Sequence, residues 1–250
     1  MYFMPAEAQE KKWESEKEES RARKDAEKIG KKAKGLWKDE QYAEAEKLYY
    51  QASQLYPLEY WGLNELAALK MDLGDITGAN KVWDDRIRSL SAKLKSYLLF
   101  QHDIDAFVWQ TYYNKIKANL EKGSAEIAVK TTVEVLRNPP SKVLFGTETK
   151  LFSSTPSSMA GLSSLFMDLS EAAFQLEDKE SLQYFYQLIP TFDANNMFHG
   201  DKAALYFVDV FLKCLNGKFD DAITILSEAA DKGAGFYVQI AGKYVFTRSL

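Results

Sequence analysis

Between Gln41 and Pro57 the chain reads QYAEAEKLYYQASQLYP. Ala45 and Ala52 lie two helical turns apart on one face, with Leu48, Tyr49 and Leu55 on the same side, and Pro57 stops the run. Upstream, Ile29, Ala33 and Leu36 form a second apolar stripe, separated from the first by the Lys38-Asp39-Glu40 turn. The small side chains of Ala33 and Ala45 allow the two predicted helices to approach closely, and Tyr42 and Tyr49 fill the space outside them. The pattern returns downstream: Leu63, Leu66 and Ala67 on one helix, Gly74-Asp75 at a turn and N-terminal cap, then Ala79, Val82 and Trp83 on the next. A third pair places Tyr112 and Ile116 before Gly123-Ser124, and Ala128 and Val135 after it, with Pro139-Pro140 as the stop. A fourth aligns Leu165, Leu169 and Ala172 with Leu182, Phe185 and Leu188. In it Ser181 takes the small position and Pro190 ends the second helix. The fifth carries Tyr206, Val210 and Leu212, then Asn216-Gly217, then Phe219, Ala222, Ile225, Leu226 and Ala229. A last helix is predicted from Phe236 to about Phe246, covering the open end of the array.

Local departures modify this pattern. Residues 1–25 form a charged helical arm, dominated from Ala6 by Glu, Lys and Arg at helical neighbour spacing and with Trp13 the one large apolar side chain between Ala6 and Ile29; it reads as a solvated or fraying lead-in, or as a docking arm anchored by Trp13. Gly35 weakens its helix by about 1 kcal/mol relative to Ala and could kink it. Arg86 stands where a small residue is expected. Its guanidinium must reach solvent along its stem or pair with a carboxylate, so the packing should loosen there. Residues 94–108 read as an insertion that shifts the phase, and Thr131 and Thr132 replace an aromatic position. The Ser/Thr-rich stretch 143–161 reads as a long loop, either an irregular connector or a regulatory segment.

Moving 34 residues along the chain, the tetratricopeptide period, carries Tyr42 onto Ile76, Ala45 onto Ala79, Tyr49 onto Trp83 and Ala33 onto Ala67. On these residues, and on FDDAITILSEAADKG near the C-terminus, the sequence resembles the tetratricopeptide repeat family. The resemblance implies an all-α fold, a right-handed superhelical stack of antiparallel helical hairpins, or α-solenoid. It divides the chain into a charged arm at 1–25, repeats one to three at 26–142 with the insertion at 94–108, the loop at 143–161, and repeats four and five with a capping helix at 162–250.

The 250 residues, 46% hydrophobic and 27% charged, are those of a globular chain able to bury a substantial core. A net charge of −4 disfavours nucleic acid as a partner. Cys214 stands alone, so no intrachain disulfide or multi-cysteine metal site can form. The N-terminal stretch has no apolar core of signal-peptide length, and no window nears about 18 uninterrupted apolar residues. The expectation is a soluble, cytoplasmic protein without membrane insertion. No metal or cofactor is expected: Gly235 and Gly242-Lys243 are wrongly spaced for a phosphate loop, and Tyr244 stands where magnesium needs Ser or Thr.

What the resemblance implies for function is a non-catalytic interaction scaffold, or a subunit of a multi-protein complex, that binds a peptide or protein in a groove lined by each repeat's first helix. Carried over residue by residue, the groove positions are Lys34, Trp37 and Lys38, then Trp61, Asn64, Ala68 and Met71, then Gln110, Tyr113 and Lys117. Aromatic, amide and basic groups together suit an extended peptide carrying carboxylates. The family's chaperone-binding clamp is matched by Asn64 and, only with a shift, by Lys34. Gln110 and Asn114 stand where that clamp has bases. Two other classes compete: an enzyme or accessory domain using Cys214 with His199, and a helical RNA binder, which would bind with steep salt dependence.

Overall fold

The fold is described from a computed structural model, in residues 13–58, 62–92, 104–138, 160–194, 203–231, 236–240 and 243–247. Among these lie ten helices: α1 (Glu16–Lys38), α2 (Tyr42–Leu55), α3 (Leu63–Asp72), α4 (Ile76–Ala92), α5 (Ile104–Glu121), α6 (Ala125–Arg137), α7 (Ala160–Gln175), α8 (Lys179–Ala194), α9 (Ala203–Leu215) and α10 (Phe219–Asp231). The exception to the helical pattern is a C-terminal hairpin of β1 (Phe236–Ile240) and β2 (Lys243–Thr247). The chain divides into two compact units, Met1–Ala118 and Asn119–Leu250.

Five helix pairs are joined by one backbone device. Each junction holds a residue of positive φ: Glu40, Gly74, Gly123, Glu177 and Gly217. The next residue's N–H returns to the carbonyl five positions back: Gln41 to Leu36, Asp75 to Lys70, Ser124 to Asn119, Asp178 to Ala173 and Lys218 to Lys213. This is a helix C-terminus closed by a left-handed residue, which satisfies carbonyls that the helix cannot. It turns the chain within two or three residues, so the second helix folds back along the first. Five positions beyond that residue stand Ala45, Ala79, Ala128, Leu182 and Ala222, all buried. In the fourth pair the inward position thus falls on Leu182. Ser181, expected there, instead meets the cap of α8: Asp178 precedes the helix, and its carboxylate accepts from both the N–H and Oγ of Ser181.

In the first unit, Ala33, Ala45 and Tyr49 pack with Leu63, Leu66 and Leu69, joining α1 and α2 to α3. Trp37 meets Tyr49 edge to face at 6.3 Å. A neighbouring cluster of Ala67, Met71, Ala79 and Trp83 receives Ala118 from α5. A third gathers Trp13, Ala26, Ala52, Tyr56, Leu58, Ile87 and Val108. The solvated arm is corrected here: α1 is continuous from Glu16, Trp13 is only 5% exposed against Tyr56, and Tyr56 Oη donates to the buried Glu19 carboxylate at 2.8 Å. Trp13 supplies the apolar cover that the charged run lacks, and the tyrosine hydroxyl satisfies the carboxylate.

Arg86 also differs from expectation. It is 1% exposed, and its guanidinium donates to Thr111 Oγ1, Pro57 O and Leu58 O instead of escaping along its stem. A planar head with five donors matches convergent carbonyls in a way a small residue could not. The site binds α4, the α2–α3 connection and α5 together.

In the second unit, α7 packs on α6, α8 and α9, and α9 packs on α8 and α10. Phe166 meets Phe185 at 5.7 Å, and Phe174 stacks on Phe211 at 4.7 Å. Full burial of such side chains stabilises by about 1.5–3 kcal/mol each. Pro190 does not end α8, which continues to Ala194. Proline removes one hydrogen bond to the carbonyl four residues back, and here both Pro190 and Tyr186 are exposed, where water can take that carbonyl.

The expected last helix is replaced by antiparallel strands, with Val238 opposite Val245 and Ile240 opposite Lys243. FYVQI and KYVFT are rich in aromatic and β-branched residues and separated by two residues ending in glycine, a hairpin pattern that a 3.6-residue reading overlooks. The 143–161 loop lies outside the described residues up to 159, and α7 begins at Ala160; of the 94–108 insertion, the part from Ile104 belongs to α5.

Candidate functional site

Apart from Trp61, the expected groove residues lie on α1, α3 and α5, the first helices of three successive pairs. Two sets of contacts fix their neighbourhood. Lys34 Nζ of α1 sits 3.3 Å from Glu65 Oε2 of α3. Along α5, Thr111 meets Arg86, Lys115 meets Asp84 at 2.7 Å, and Ala118 packs near Trp83 and Ala79. Rising numbers on α5 therefore meet falling numbers on α4, so α5 runs antiparallel to α4 and parallel to α3.

The side chains expected to bind a partner divide into three groups. Lys38 and Lys117 are exposed; Lys34, Trp37, Ala68, Gln110 and Tyr113 are half-buried. Met71 is buried with Ala67, Ala79 and Trp83, so this long apolar side chain fills the α3–α4 interface and does not line a groove. Trp61 lies outside the described residues. Lys34 faces the Glu65 carboxylate, which reduces the charge it offers an acidic ligand, and Trp37 spends one edge on Tyr49.

Asn64 is 4% exposed, and its Oδ1 has no hydrogen-bond partner among the described residues; the same holds for the buried Nδ2 of Asn114. Leaving a buried polar atom unpaired costs about 1–3 kcal/mol. Sequence reasoning placed Asn64 in the groove but treated Asn114 only as a missing base, and passed over Glu65. Its signal was a carboxylate inside the apolar run LNELAALKMD.

Charges elsewhere serve the pairing of helices. Lys70 Nζ of α3 lies 2.8 Å from Glu46 Oε1 of α2 and 3.4 Å from Asp75. Burial alone would lower the Lys70 ammonium, but the Glu46 and Asp75 carboxylates outweigh it and hold it above its ordinary value. Cys214 is buried on α9, and burial pushes its thiol up, away from the nucleophilic thiolate. His102 and His199 lie outside the described residues. Among the described residues no group of three or more His, Cys, Asp or Glu side chains is gathered to hold a metal, and no helix is long and apolar enough to cross a membrane.

No protein-family model matches the chain, and no curated protein matches its sequence.

Proposed function

We propose that the protein is a non-catalytic interaction scaffold, or a subunit of a larger assembly, in which α1, α3 and α5 hold an extended segment of a partner protein. The observation that carries this reading is the set of open side chains at the expected groove positions of α1 and α5: Lys38 and Lys117 are exposed, and Trp37, Gln110 and Tyr113 are only half-buried. Tyr113 and Trp37 offer contact area, and Lys38 and Lys117 supply exposed positive charge for a carboxylate-bearing partner. The turn device and the period of 34 between Glu40 and Gly74 support repeats of tetratricopeptide type at the start of the chain.

The test is affinity capture from the native source with the parent chain and with two variants, Tyr113→Ala and Lys38→Glu/Lys117→Glu, each checked for helicity by circular dichroism. The expected result is one set of partner proteins retained by the parent and lost from both variants. Retention of the same set by both variants would contradict the reading.

A further inference from the structure

The register of the C-terminal hairpin determines which main-chain groups its outer edges carry. Ile240 faces Lys243 across the two residues Ala241 and Gly242, so this pair exchanges both of its hydrogen bonds across the hairpin. Antiparallel pairing then alternates, and Val238 with Val245 and Phe236 with Thr247 do the same. The N–H and C=O of Tyr237 and Gln239 therefore point away from β2, along the outer edge of β1, and those of Tyr244 and Phe246 point along the outer edge of β2. The hairpin meets the helices through β2, which approaches α10, and β1 forms the opposite edge. Among the described residues no third strand pairs with either edge. Two strands alone are marginal in water, and an open edge is ordinarily guarded by a charge, a proline, a bulge or a covering helix. β1, FYVQI, has no charged residue and no proline, and its register runs without a bulge.

Main-chain groups in this arrangement accept an extended strand, and the pattern along β1 selects its own kind. The outward groups stand one residue to either side of Val238. When β1 runs antiparallel to β1 of a second copy with Val238 opposite Val238, Tyr237 of each copy faces Gln239 of the other. These two pairs exchange four main-chain hydrogen bonds about a two-fold axis and leave no outward group over. Self-pairing of β1 sets no charge against a like charge, whereas β2 carries Lys243 and is followed by Arg248. We infer that β1 pairs antiparallel with β1 of a second copy of the chain, joining two hairpins into one four-stranded sheet across a two-fold axis. Two edges of five residues make a contact well below the about 1,200–2,000 Å² of a stable interface, so the dimer forms and parts with concentration. It is independent of the α1–α3–α5 surface.

Sedimentation velocity of the full chain is expected to pass from monomer toward dimer between about 5 and about 500 μM. Gln239→Pro removes one outward N–H from each copy and none of the bonds between β1 and β2, a change that edge strands tolerate, and it should weaken association at least about tenfold. Tyr244→Pro makes the same change on the outer edge of β2 and should leave association unaltered. Val238→Lys and Val238→Asp each set like charges opposite one another and should be monomeric alone. Their mixture should associate severalfold more tightly than either, because the register centred on Val238 brings the two signs together. A parent chain that stays monomeric throughout this range, with or without a strand of another protein on β1, would overturn the inference. So would a dimer that Gln239→Pro leaves intact, a dimer that Tyr244→Pro abolishes, or a mixture that associates no better than its components.

Discussion

The Arg86 Nε donates to Thr111 Oγ1 at 3.1 Å, and Thr111 in turn donates to the Phe107 carbonyl at 2.7 Å. With Nη1 on Pro57 O at 2.8 Å and Nη2 on Leu58 O at 3.1 Å, one buried cation joins α4, α5 and the chain entering α3. Removing it leaves two carbonyls and a hydroxyl without their donor. Arg86→Met should lower stability by about 2–4 kcal/mol, and Thr111→Val by about 1–3 kcal/mol. Arg86→Lys keeps the charge but not the fork, and should fall between Met and the parent. Urea denaturation measures all three; a loss below about 0.5 kcal/mol for Arg86→Met would show that the clasp is idle.

The junctions offer a second prediction. Glu40 and Glu177 adopt left-handed backbone that a side chain disfavours by about 1–2 kcal/mol, where Gly74, Gly123 and Gly217 adopt it freely. Glu40→Gly and Glu177→Gly should each raise stability by about 0.5–1 kcal/mol, and Gly74→Ala and Gly217→Ala should lower it by about 1 kcal/mol. Thermal melts of the four single variants check the signs; stabilisation by either Ala change would contradict the assigned turns.

Gly35 and Gly62 should respond oppositely to the same substitution. A Cβ at Gly35 meets nothing within 4 Å on an exposed helical turn, so Gly35→Ala should stabilise by about 0.5–1 kcal/mol. A Cβ at Gly62 would stand 3.0 Å from the Ser53 Cα and Cβ, where α3 begins against α2. Gly62→Ala should destabilise, and equal melting temperatures for the two variants would refute the contrast.

Asp209 gives a pH signature. Burial pushes its carboxyl up, Lys213 draws it down and Asp221 pushes it up, leaving it above its ordinary value in the fold. As pH rises from about 3.9, the unfolded chain releases this proton before the folded one, so stability falls through that window and the penalty persists above it. Asp209→Asn should melt higher than the parent at pH 7, with the difference vanishing near pH 3. A difference independent of pH would exclude this origin.

Much of the helical framework was legible because it is written in small residues at fixed phase. Ala33, Ala45, Ala67 and Ala79 were expected at the helix contacts and are fully buried there. The turns at Gly74, Gly123 and Gly217 were visible for the same reason: glycine marks left-handed backbone. Glu177 holds that conformation without such a mark, and the fourth pair was misphased by one residue as a result. Arg86 was misread because its partners are backbone carbonyls, which a sequence does not display. Trp13 stood out as an apolar anchor, but Glu19 was hidden by the charged residues around it, since its burial depends on Tyr56 far along the chain. The C-terminal hairpin was lost to an assumed helical period. In the candidate groove, the burial of Asn64 and Met71 and the Lys34–Glu65 pair depend on which face α3 turns to its neighbours.

Site-specific photo-crosslinking tests the proposed partner surface most directly. A photoreactive side chain is placed in turn at Lys38, Tyr113 and Lys117, and at Lys130 and Tyr186 as exposed or partly exposed positions on other helices, in the full chain within its native extract. The account predicts that one partner polypeptide is captured from the three positions on α1 and α5 and from neither control. Capture of that polypeptide from Lys130 or Tyr186 alone, with none from α1 and α5, would contradict it.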